Sequence, residues 1–161
     1  MKVQDCMRPS PKSCGPETSL AEVSHLLCDR ACGALPVVDV SGKVIGIITD
    51  RDICLALGKQ NRRPSELRAK EAMSCPATVC RANDEIHGAL NLMKSRKVRR
   101  LPVVSDAGTL EGILCLSDLI LEARHDDGSR PELTYEDVMS VLHTIYWVHS
   151  VRCRTETVAA S

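Results

Sequence analysis

Asp52 follows Thr49 by three positions, and sixty-six residues later Asp118 follows Cys115 at the same interval. An ionised carboxylate only accepts hydrogen bonds and offers several lone pairs, while a hydroxyl both donates and accepts. Thr-x-x-Asp is also the spacing of a helix capping box, in which both side chains are spent on backbone amides. In the second copy a thiol replaces the hydroxyl and is a poor hydrogen-bonding substitute, and Ser117 stands two places late. A different chemistry is offered by His25, Cys28 and Cys32, at i, i+3 and i+7 of an expected helix. One face there would give a soft metal three ligands or set two reactive thiols together. Small buried thiols beside a solvated His account for the same residues. Lys94, Arg96, Lys97, Arg99 and Arg100 form a basic cluster. It suits phosphate through the arginine fork, or a helix C-terminus through its dipole. No Ser-His-Asp or Cys-His arrangement can be placed, and His87, His125, His143 and His149 are scattered.

These residues sit in a chain that repeats itself. Leu35-Pro36-Val37-Val38 returns as Leu101-Pro102-Val103-Val104, Gly46-Ile47 as Gly112-Ile113, and Asp52 as Asp118. The same offset carries Met7 onto Met73, Cys14 onto Cys80, Arg30 onto Arg96, Gly42 onto Gly108 and Leu55 onto Leu121, without a gap. A fixed period means one unit used twice, and a unit this short rarely buries its apolar face alone. The halves are therefore expected to pack on each other, with function in the cleft between them.

Each repeat reads as an extended stretch, a helix, a hairpin and a second helix. Leu20, Val23 and Leu27, and then Ile86, Ala89, Leu90 and Met93, fall on single helical faces. Ser19 with Glu22 has capping-box spacing, and Asp84 is the expected cap of the second copy. Ala34–Val40 with Val44–Thr49, and Leu101–Ser105 with Leu110–Cys115, are β-branched runs joined by turns at Gly42 and Gly108. Second helices are expected at about 51–57 and 117–123. The order predicts an α/β (α+β) fold of two β-α-β-β-α repeats. Boundaries fall at 1–58 (first repeat), 59–68 (polar linker), 69–124 (second repeat) and 125–161 (linker, C-terminal helix and frayed tail). The last helix is expected from Thr134 to about Val151, with Thr134 and Asp137 at capping-box spacing and a stripe of Val138, Val141, Leu142, Ile145 and Val148.

Composition narrows the function classes. Lys plus Arg and Asp plus Glu balance at 21 each, so net charge favours neither nucleic acid nor a membrane surface. No apolar run approaches the roughly 18 residues of a membrane span, and residues 1–15 lack a secretory stretch. Nine cysteines without a CxxC pair suggest free thiols in a reducing cytoplasm. The chain has no Phe, and Tyr135, Tyr146 and Trp147, its only aromatics, cluster in the C-terminal segment. That segment is free to pack on its own module, across a dimer, or against a protein partner.

Leu-Pro-Val-Val followed by Gly46-Ile-Ile-Thr49-Asp-Arg-Asp52, present twice within β-α-β-β-α units, resembles a tandem pair of cystathionine-beta-synthase (CBS) domains, the Bateman module. The resemblance covers about residues 1–124. It implies two repeats packed through their sheets with pseudo-two-fold symmetry, and a regulatory, non-catalytic module that senses energy state or a related signal. No cofactor is then required; the regulatory ligand is an adenine nucleotide (AMP, ADP or ATP) or S-adenosylmethionine, and the module commonly pairs as a homodimer. The resemblance assigns Thr49 and Asp52 to ribose and phosphate, with Thr78, Val98, Arg99 and Arg100 completing that cleft from the other repeat. A second, weaker cleft is expected from Lys12, Cys32, Gly33, Cys115 and Asp118. Two other readings stay open: a thiol- or metal-responsive protein using His25, Cys28 and Cys32, and an interaction scaffold with empty clefts.

Overall fold

A computed structural model describes residues 1–29, 32–125, 128 and 131–158, with 147–158 as backbone alone. Arg30, the linker residues 126, 127, 129 and 130, the tail 159–161 and the side chains of Trp147, Val148 and His149 lie outside the described residues. In chain order the elements are β1 (Arg8–Pro9), α1 (Leu20–Asp29), β2 (Ala34–Val38), β3 (Val44–Thr49), α2 (Asp50–Gln60), α3 (Ala69–Ala72), β4 (Cys80–Arg81), α4 (Ile86–Arg96), β5 (Arg100–Val104), β6 (Leu110–Cys115), α5 (Leu116–Glu122) and α6 (Tyr135–Val158). The mixed α/β order expected of each repeat is present twice, and a C-terminal helix follows.

The chain forms two compact units. One joins Arg8–Ala82 with Pro102–Ile113, the other Met1–Met7 with Asn83–Leu101 and Leu114–Ser161. In the first unit β2 and β3 pair antiparallel, with Leu35 opposite Ile48 and Val37 opposite Gly46. Asp39 shapes the turn between them, its Oδ1 accepting from Ser41 N (2.8 Å), Ser41 Oγ (2.7 Å) and Lys43 N (3.0 Å). The Ser41 hydroxyl bond, with the backbone amides, holds this carboxyl below its ordinary range. At the matching turn Thr109 N donates to Ser105 Oγ at 3.1 Å. Leu20, Val23 and Leu27 of α1 and Ile53 and Ala56 of α2 close over Leu35, Val37 and Ile48, with Leu67 and Ala69 at the edge. Each large aliphatic side chain so buried contributes about 1.5–3 kcal/mol before the entropy of ordering is counted.

The strands obey the sixty-six-residue offset more closely than their labels suggest. Cys80 bridges Val103 in parallel, and Cys14 bridges Val37 in the same way. Arg8 opposes Ile113 antiparallel, and Ser74 opposes Ile47. Every hairpin is thus flanked by two short extended segments. Gly46 permits one of these approaches, since a Cβ there would stand 2.7 Å from Met73 Sδ and 3.0 Å from the Ser74 carbonyl.

In the second unit α4 buries Ile86, Ala89, Leu90 and Met93, the face anticipated from periodicity. α6 packs against α4 and α5 and buries Val138, Val141 and Ile145. The C-terminal helix therefore lies on its own module through Ile145. Its backbone continues to Val158, beyond the expected end near Val151, because no Gly or Pro interrupts it. α2 likewise runs to Gln60, three residues past the expected end, until Asn61 turns left-handed at φ 49°. The N-cap position of α4 is Glu85, one residue after the expected Asp84, and the Glu85 side chain makes no capping hydrogen bond.

Both units share one docking device. Ile86 N donates to Met1 O (3.1 Å) and Val3 N to Asp84 O (3.0 Å); sixty-six residues away Leu20 N donates to Leu67 O (2.9 Å) and Ala69 N to Thr18 O (2.9 Å). The segment leading into one repeat thus docks on the first helix of the other. Residues 59–68, the expected polar linker, contain the end of α2 and the docking residue Leu67.

Candidate ligand-binding site

Thr49 ends β3 in an extended conformation (φ −121°, ψ 164°) and caps α2. Asp52 N donates to Thr49 Oγ1 at 3.2 Å, while Thr49 N (2.9 Å) and Thr49 Oγ1 (2.7 Å) donate to Asp52 Oδ2. Both side chains are half-buried. Oδ1 of Asp52 accepts no hydrogen bond among the described residues, leaving one carboxylate oxygen for an outside donor. The capping arrangement alone does not single out a site. Thr134 and Asp137 reproduce it at α6, with bonds of 3.0, 2.6 and 3.1 Å. What differs at Asp137 is a neighbour: His87 Nε2 lies 3.5 Å from its Oδ2.

The same unit holds Thr78, half-buried in the loop before β4, and Lys12, exposed at the corresponding place before Cys14. Cys32 and Gly33, half-buried, link α1 to β2, with Cys32 N donating to Leu27 O at 3.1 Å. Val98, Arg99 and Arg100 belong to the other unit, as do Cys115 and Asp118.

In that second unit the structure gathers a pocket of about 160 Å³ lined by Arg99, Arg100, Cys115, Leu116, Ser117, Ile120, Leu142 and Tyr146. Leu116 N donates to Arg99 O at 2.9 Å, which sets the arginine pair beside the start of α5. Arg99 Nη1 donates to Tyr146 Oη at 2.9 Å. Neither arginine has a carboxylate partner among the described residues, although Arg62, Lys70 and Arg81 all do. Arg99 and Arg100 line this pocket together with Cys115 and Ser117 of the same unit. Cys115 is the N-cap of α5 and its thiol does not cap the helix. Asp118 is buried at 8% exposure and is outside the pocket lining. Sequence reasoning missed Ile120, Leu142 and Tyr146. The concentration of aromatics in the last segment was the available signal, but not which face they take.

The proposed soft-metal face does not assemble. Cys32 is not helical, so it is off the helix that carries the exposed His25 and Cys28, and it packs partly buried against the core. Among the described residues no three His, Cys, Asp or Glu side chains gather in a way that could hold a metal ion. Burial pushes the Cys14 thiol up to about 11, and burial with Glu122 and Asp5 nearby raises Cys6. These are packing thiols. No helix among the described residues is long and apolar enough to cross a membrane.

Comparison with known proteins places this geometry in a family. A model described as "CBS domain" matches residues 3–59 and again 69–125. The CBS domain-containing protein YhcV of Bacillus subtilis is 32% identical over 132 residues, covering 82% of this chain and 92% of the relative. The solved structure of CBSX2 in complex with AMP is 28% identical, with a TM-score of 0.67 over 75% of this chain and 94% of that one. The CBS domain pair of MJ0100, in complex with 5′-methylthioadenosine and S-adenosyl-L-methionine, is 26% identical, with a TM-score of 0.69 over 76% and 98%. The chain spans 54% of an uncharacterized Methanopyrus kandleri relative and 21% of mycobacterial inosine-5′-monophosphate dehydrogenases.

Proposed function

The chain belongs to the CBS domain family as a tandem pair, and we propose that it is a non-catalytic regulatory module that binds an adenosyl ligand of the AMP, ADP, ATP or S-adenosylmethionine class. The observation that carries this is Asp52. Its Oδ2 closes the α2 cap, and its Oδ1 is left for a donor such as a ribose hydroxyl. Thr49 holds the carboxylate in place, and Thr78 belongs to the same unit. A weaker second site uses Cys115 and Asp118, where a thiol stands in for the hydroxyl. Related pairs solved with AMP and with S-adenosyl-L-methionine support the ligand class.

Binding transmits a signal only through different affinities for two states. A module of this kind acts through its own pairing as a homodimer or through a protein partner, with no nucleic acid or membrane involved. The test is thermal unfolding of the reduced protein against AMP, ADP, ATP, S-adenosylmethionine and Zn²⁺. A ligand at one hundred times its Kd adds about 2.7 kcal/mol, which moves the midpoint by several degrees. A shift with an adenosyl ligand supports the reading; a shift with Zn²⁺ alone, or with nothing, overturns it.

A further inference from the structure

α6 lies beyond residue 125, where the second family match ends, yet it supplies Leu142 and Tyr146 to the Arg99–Arg100 pocket. Tyr146 is half exposed and contributes little to the core; its specific contact is the 2.9 Å bond from Arg99 Nη1. Arg99 is exposed, and a free arginine of this kind samples many rotamers. A guanidinium has five donors, so one bond to a neutral phenol fixes its direction and leaves the others for an anion. The volume of about 160 Å³ is well below the several hundred Å³ of a whole nucleotide-sized pocket, so it has room for one end of a ligand. With two arginines and no acidic partner among the described residues, that end is an oxyanion.

We propose that Tyr146 is a positioning residue for the phosphoryl end of the ligand: the appended helix orients Arg99 toward the pocket, so that anion affinity in the second repeat depends on α6. The inference rests on the adenosyl reading for the ligand's identity, but not for the pocket itself. Calorimetric titrations of wild type, Tyr146→Phe, Arg99→Ala and the double variant with AMP, adenosine and pyrophosphate test it. Tyr146→Phe removes one hydroxyl from a half-exposed ring, so the fold survives. The expected result is a loss of about threefold to tenfold in affinity for AMP and pyrophosphate in Tyr146→Phe, and of at least about tenfold in Arg99→Ala, with the double variant no worse than Arg99→Ala. Adenosine, which carries no phosphate, binds all four alike or not at all. Pyrophosphate binding weakened by Tyr146→Phe in a protein that ignores adenosine and AMP would keep this inference and remove the adenosyl reading. Additive losses, an equal loss for adenosine, unchanged AMP and pyrophosphate affinity in Tyr146→Phe, or no pyrophosphate binding to wild type would each overturn it.

Discussion

Gly42 and Gly108, sixty-six residues apart, each accept a backbone hydrogen bond from the other's hairpin. Leu110 N donates to Gly42 O at 3.1 Å and Val44 N to Gly108 O at 3.0 Å, with Lys43 opposite Thr109 between them. The two turns are related by the repeat, so the bonds are two copies of one interaction about a local two-fold. Both glycines have positive φ, 80° and 84°, a conformation that costs other residues about 1–2 kcal/mol.

A first prediction follows from that strain. Gly42→Ala and Gly108→Ala each lower the urea midpoint by the equivalent of about 1 kcal/mol or more. A Cβ at Gly42 would also touch Thr109 Cγ2 at 3.4 Å. Gly58→Ala and Gly88→Ala raise stability by about 0.5–1 kcal/mol, because these helical glycines have nothing within 4 Å of the added carbon. Chemical denaturation of the four variants checks the opposite signs.

Thiol reactivity sorts by burial. Cys28, Cys54 and Cys75 are exposed, while Cys6, Cys14 and Cys80 are buried. With its pKa near 11, Cys14 is thiolate to only about one part in a thousand at pH 8. Peptide mapping after brief alkylation of the native protein is expected to find the exposed three modified and Cys14 intact. Early modification of Cys14 would contradict the packing described for α1 and β2.

Acid loosens α6 at its start. Burial alone would raise the Asp137 carboxyl, but the Thr134 hydrogen bonds and the nearby His87 outweigh it and hold the group below its ordinary range. A depressed carboxyl stabilises the fold above its unfolded value, near 3.9, and loses that contribution as pH falls through the lower folded value. The midpoint difference between wild type and Asp137→Asn is expected to be present at about pH 5 and to close below about pH 4. A difference that persists unchanged into acid would assign the effect to packing.

The repeats, hairpins and helical faces were legible because they are written in side-chain types: alternation in β2, three-and-four spacing in α1 and α4, glycine at the turns. The docking of Met1 and Val3 beside α4, and of Leu67 and Ala69 beside α1, was not legible, since backbone amides carry it and any residue supplies those. The soft-metal face failed on one boundary: Cys32 is not part of α1, and periodicity does not state where a helix stops. Thr49 and Asp52 were legible as a pair, and their capping bonds are those the spacing allows. Arg99 with Tyr146 was not, because forty-seven residues separate them and the face of α6 is chosen by packing on α4 and α5.

The most direct test of the account sets Asp52 against Asp137. Both complete the same Thr-x-x-Asp cap, so Asp→Asn at either position removes a similar contribution to helix stability, about 0.5–2 kcal/mol at most. Calorimetric titration with AMP is predicted to give wild-type affinity for Asp137→Asn and at least about tenfold weaker binding for Asp52→Asn, with both unfolding at similar temperatures. Equal affinity in Asp52→Asn and wild type, equal loss in both variants, or no binding by wild type would contradict it.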